Sequence, residues 1–129
     1  EHRDDMRIMR FDARLYFANV NFFKEAIEAE VERQKDKLKL FILDANSINS
    51  ADSSGLHALE EIREFLESMN IEFYMTSVKG PLRDILQKGH FDEKLGKEKF
   101  FMHIQTAVDN FDEKNPQRYK DYVLQTNLE

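Results

Sequence analysis

Two aspartates and a pair of serines are the side chains whose types and spacing suggest chemistry. Asp44 ends the apolar run Lys39-Leu40-Phe41-Ile42-Leu43. After the linker Ala45-Asn46-Ser47-Ile48-Asn49-Ser50-Ala51, Asp52-Ser53-Ser54-Gly55 opens an amphipathic stretch that begins at Leu56. Two carboxylates at one loop can act as an acid–base pair, but no histidine or lysine adjoins either to complete a proton relay. A serine nucleophile on a hydrolase elbow needs glycine on both sides, and Ser53-Ser54 lacks the first. What the pattern does supply is a helix start. Aspartate and serine oxygens accept the free N–H groups of a first turn, so the N-cap is Asp52 or Ser53. A hydroxyl there stands at the positive end of a helix dipole, where a phosphate is well tolerated. Ser53 is therefore a candidate regulatory phosphorylation site, and Asp44, Asp52, Ser53, Ser54 and Gly55 form a candidate loop interaction surface.

The remaining chemistry is sparse. His2, His57, His90 and His103 are scattered, and no pair stands at the helical spacing that a shared metal needs. The chain has no cysteine, which excludes disulfides and thiolate metal sites. Its four glycines are too far apart for a phosphate cradle. Most of the 11 phenylalanines and 4 tyrosines fall at core spacing, so they read as packing. No catalytic constellation and no metal site can be assembled, and an enzyme is not expected.

The elements that must hold the Ser53 loop follow from periodicity. Met6 to Phe11 reads as a first strand and Leu15-Tyr16-Phe17 as a short second one. Asn19 to about Lys35 reads as a helix that Asn21 can cap, with Phe23, Ala26, Ile27 and Val31 on one stripe. Leu38 to Leu43 is the continuous apolar run of a strand covered on both faces. A second helix follows from about Ser53 to Met69, then a strand from Ile71 to Thr76. Gly80-Pro81 starts a third helix, since proline at the first position costs no hydrogen bond, and Gly89 ends it. Phe100-Phe101-Met102 suits a last short strand, and Ile104 to Phe111 a last helix. Strands alternating with helices imply an α/β layer on a mostly parallel sheet of about four or five strands.

At 129 residues the chain fits one domain, with a core from about 6 to 111 and a polar tail from 112 to 129. Net charge is -6 and the charges are interspersed, which argues against nucleic acid and weakens direct binding to anionic lipid. No apolar run is long enough to cross a bilayer and no signal-peptide pattern is present, so direct membrane insertion is not expected. The chain opens at Glu1 without a methionine, as expected of a piece of something longer.

Taken together, these residues resemble the STAS domain, shared by bacterial anti-sigma-factor antagonists and the cytoplasmic tails of SulP-type anion transporters. The strand ending Leu43-Asp44, the loop, and Asp52-Ser53-Ser54-Gly55-Leu56 match the family's signature region. Two stretches favour the transporter branch. Arg10-Phe11-Asp12-Ala13-Arg14-Leu15-Tyr16-Phe17-Ala18-Asn19 is similar to the segment that opens the transporter version. Gly80-Pro81-Leu82-Arg83-Asp84-Ile85-Leu86 and Gly89-His90-Phe91 look like a second one. The resemblance implies a STAS-like α/β fold and a regulatory or assembly role in an anion transporter for sulfate, bicarbonate or a dicarboxylate, at the cytoplasmic face of the membrane. It implies three partners: the transporter's own membrane domain, acyl carrier protein, and a serine/threonine kinase acting on Ser53. In the antagonists the serine after the motif aspartate is the phosphorylated one, and it matches Ser53. The alternative it leaves open is a free-standing antagonist switched at that serine. Nucleotide binding has been suggested for the family, yet no phosphate loop is present here, and no cofactor is expected.

Overall fold

A computed structural model describes residues 3–116, so His2 and the polar segment from 117 onward lie outside the described residues. Its frame is one sheet of four parallel strands in the order β1-β2-β3-β4. They are β1 (Met6–Arg10), β2 (Leu40–Asp44), β3 (Glu72–Thr76) and β4 (Phe100–Phe101). Met6 pairs with Leu40, Leu40 with Glu72 and Met75 with Phe100. Parallel neighbours need a crossover each. Helices α1 (Val20–Arg33) and α2 (Ser53–Ser68) supply the first two. The third contains α3 (Gly80–Lys88), α4 (Phe91–Leu95) and a 3-10 turn over Lys97–Lys99. The last helix, α5 (Ile104–Lys114), follows β4.

The two faces of the sheet are covered separately. Sequential strand order with right-handed crossovers puts all the crossover helices on one side. There Phe41, Leu43, Phe73 and Met75 meet Phe23 and Ile27 of α1, Leu59 and Ile62 of α2, and Leu82 and Phe91 beyond. The alternate residues Leu40, Ile42 and Tyr74 point to the other side, where Ala107 and Phe111 of α5 close over them. All five positions of β2 are buried, which is why its sequence is apolar without a break. Tyr74 donates to Asn110 Oδ1 at 3.1 Å. Burial, reinforced by the charges of Glu72 and Glu98, pushes its phenol up to about 12. Arg3 clamps the same layer by forking onto Asp5 and Asp112, at 2.8 and 2.9 Å.

Several expectations change. Leu15–Phe17 is not a strand: Leu15 makes one parallel bridge to Ala51 and nothing more. The chain turns at once into α1, with the Asn19 N–H bonded to the Tyr16 carbonyl at 2.9 Å. Asn21 is not the cap of α1, because the helix starts one residue earlier and Asn19 holds the cap position. The Asn19 side chain instead ties the loop, accepting from the Tyr16 N–H at 3.0 Å and donating to the Arg14 carbonyl at 2.7 Å. Helix α4 has no counterpart in the sequence reading. It is a short turn anchored by buried Phe91 and Leu95 after His90 takes a left-handed φ of 61°. The sheet is wholly parallel, with no mixed pairing among the described strands.

The approach of the 15–17 loop to α2 depends on Gly55. A methyl group there would lie 2.6 Å from the Leu15 carbonyl oxygen and 2.9 Å from Leu15 Cβ. Helix propensity alone would favour alanine over glycine by about 1 kcal/mol. Displacing a backbone strap outweighs that, since overpacking typically costs about 1–3 kcal/mol. Gly55→Ala is thus expected to lower the melting temperature in calorimetry. A raised melting temperature would mean that the strap does not bear on α2.

Candidate interaction site at the start of the second helix

The C-terminal ends of parallel strands gather polar loops at one edge of the sheet, the usual place for a site in an open α/β layer. Here β1 delivers Arg10 and Asp12, β2 delivers Asp44 and the 45–52 loop, and β3 delivers Thr76 and Ser77. Asp44 is 9% exposed. Its Oδ1 accepts from Thr76 Oγ1 at 3.3 Å and from the Asn46 N–H at 3.2 Å, so it folds the start of the loop. The loop is then strapped on both sides. Arg10 donates to Ser47 Oγ at 2.9 Å, and Lys79 donates to Asn46 Oδ1 at 2.6 Å.

Asp52 holds the far end. It is the N-cap of α2, in extended conformation, and its Oδ1 accepts from the Gly55 N–H at 3.0 Å. Its Oδ2 accepts from the Phe17 N–H at 3.1 Å. Two backbone bonds complete the clip: the Leu15 N–H to the Ser50 carbonyl and the Asp52 N–H to the Leu15 carbonyl, each 3.0 Å. The Gly55 N–H, followed by that of Phe17, holds the Asp52 carboxyl below the usual carboxylate range, against the opposing effect of desolvation. A depressed folded-state value means that this carboxylate stabilises the fold at neutral pH and ceases to do so as pH falls through that value. Asp44 and Asp52 share no hydrogen-bond partner among the described residues.

Of the sequence-selected residues, Asp52 and Ser53 are exposed and Ser54 is half-buried, while Asp44 and Gly55 lie beneath them as supports. Ser53 occupies the first helical position, and its hydroxyl makes no hydrogen bond among the described residues. The cap that the sequence left to Asp52 or Ser53 belongs to Asp52. His57, His90 and His103 are exposed. Among the described residues no group of three metal-ligating side chains could hold an ion.

Sequence reasoning missed Phe17 and Phe22, which it counted with the packing aromatics. They are 78% and 70% exposed. Phe17 is bonded through its N–H to the Asp52 carboxylate, and Phe22 sits in the first turn of α1. The available signal was phase: Phe22 lies one position off the Phe23–Ile27–Val31 stripe that is buried.

Comparison with known proteins agrees with this geometry. The model of the STAS domain family matches residues 1–107. A probable sulfate transporter of Mycobacterium tuberculosis is 34% identical over 104 residues, covering 81% of this chain and 19% of that protein. The chain spans under a fifth of the length of such curated transporters. Among solved structures, a sulfate transporter family protein from Wolinella succinogenes has a TM-score of 0.71 at 24% identity, covering 82% of this chain and 84% of that one. A putative anti-sigma factor antagonist from Thermotoga maritima shares the fold with a TM-score of 0.72 at 21% identity, over 85% of this chain and 90% of that one. With a parallel sheet, an Asp-Ser helix start and a family match over most of its length, the chain belongs to the STAS domain family.

Proposed function

We propose that this domain is the regulatory and assembly module of a SulP-type secondary anion transporter, and that it works by protein contact rather than by catalysis. The observation that carries the reading is the 34% identity to a probable sulfate transporter of which this chain spans only 19%. The permeation path would lie in the rest of such a protein, since no helix among the described residues is long and apolar enough to cross a membrane. In that setting the domain sits at the cytoplasmic face of the plasma (inner) membrane. Its first partner is the transporter's own membrane domain, with acyl carrier protein and a Ser53 kinase as further ones. The transported anion is small: sulfate, bicarbonate or a dicarboxylate.

The surface beside Ser53 supports a docking role. Two exposed phenylalanines near one helix edge are costly in water and suit a partner that covers them. A phosphate on Ser53 would add about -1.5 to -2 charges next to Asp52, while the first-turn N–H groups accommodate it. The fold would survive, while an acidic partner would be repelled and an apolar one would lose its docking because the phosphate would have to be desolvated. A free-standing antagonist switched at the same serine is the second reading, favoured by the likeness in fold to the Thermotoga protein.

Because Asp52 and not Ser53 is the cap, Ser53→Ala and Ser53→Asp are both expected to change stability by no more than about 0.5 kcal/mol, the range for surface substitutions. Calorimetric melting checks this, and a large loss for either would return Ser53 to the helix cap. With the domain and the membrane domain expressed as separate chains, Ser53→Asp and Phe17→Ala should each weaken their co-purification. Wild-type affinity in both variants would remove this face from the interface and leave the antagonist reading ahead. Deleting residues 6 to 111 should reduce surface level or uptake rate without changing which anion is carried. Altered selectivity in an uptake competition would contradict the proposal.

A further inference from the structure

A cleft of about 320 Å³ lies between α3, the 3-10 turn and β4. That volume falls within the range of small-molecule sites, about 300–1,000 Å³. Its wall is apolar. Leu86 is buried at its base, Val78 and Phe100 flank it, and Met102 stands at the mouth with 60% of its surface exposed.

Two cations line the same cleft. Arg83 and Lys97 are both exposed, and neither side chain has an acidic partner or any hydrogen bond among the described residues. Three nearby lysines are committed elsewhere: Lys94 to Glu60 at 2.9 Å, Lys99 to Glu72 at 3.3 Å, Lys79 to Asn46 at 2.6 Å. The one carboxylate of the lining, Asp92, is engaged by the Glu93 N–H at 2.9 Å. In a chain of net charge -6, a hollow with more positive than negative side chains inverts the local sign. Burying an apolar body against Phe100 and Leu86 leaves its charged end at the rim, where a guanidinium can meet a carboxylate with two parallel N–H groups.

We propose that this cleft binds a small organic anion, with the carboxylate held by Arg83 and Lys97 and a short apolar body laid against Phe100 and Leu86. The cleft shares no lining residue with the Ser53 face, so its failure would leave the docking proposal standing. An inorganic anion lacks the apolar half of the match, and a neutral isostere lacks the charged half.

Hexanoate titrated into the isotope-labelled chain, followed by amide NMR, tests this. Saturable shifts are expected at Val78, Leu86, Phe100 and Met102. Hexanamide and sulfate should each bind at least about tenfold more weakly, because each forfeits one half of the match. The double substitution R83Q/K97Q, on two exposed side chains, should lose about tenfold in hexanoate affinity with the remaining spectrum unchanged. Shifts that climb without saturating would overturn the proposal. So would hexanoate binding undiminished in the double variant, or either control matching hexanoate.

Discussion

The site rests on one carboxylate that accepts two backbone N–H groups from different parts of the chain. Asp52 takes the Gly55 N–H of its own helix and the Phe17 N–H of the loop before α1. The first bond fixes where α2 begins. The second fixes where the 15–17 loop lies against it, together with the Leu15 bridge to Ala51. Gly55 is the steric partner of this arrangement, since only a residue without Cβ lets the Leu15 carbonyl come so near. The position of Ser53 at the surface and the outward display of Phe17 both follow from that clip.

The sheet makes the clip possible. Three parallel strands end level with one another at Arg10, Asp44 and Thr76. The loops that leave them are knotted by Asp44 on Thr76, Arg10 on Ser47 and Lys79 on Asn46. The Ala45 N–H to the Thr76 carbonyl, 2.9 Å, extends the pairing one step beyond β2. Hydrophobic burial on both faces supplies the rigidity.

Much of this was legible in the sequence. The unbroken apolar run of β2, the stripes of α1 and α2, and Pro81 at the start of α3 each follow from local periodicity and backbone chemistry. The Asp-Ser-Ser-Gly signature was legible too, as was its place at a helix start. Other features were not, because they are tertiary. Whether Leu15–Phe17 pairs along its length depends on how soon Asn19 turns the chain, and the sequence of a strand-like triplet does not record that. Helix α4 is too short to show a period. Phe17 and Phe22 are exposed because of the helix phase and the clip, while their residue type argued for the core. The unpaired state of Arg83 and Lys97 is a matter of which acids the folded chain brings near.

A single ionised carboxylate, that of Asp52, joins the loop before α1 to the start of α2. Amide proton shifts of Phe17 and Gly55 followed against pH in the intact domain measure this link most directly. Both amides should move together as Asp52 is protonated, with one shared midpoint below the ordinary aspartate value of 3.8. Separate midpoints for the two amides, or a shared one at the ordinary value, would contradict the account.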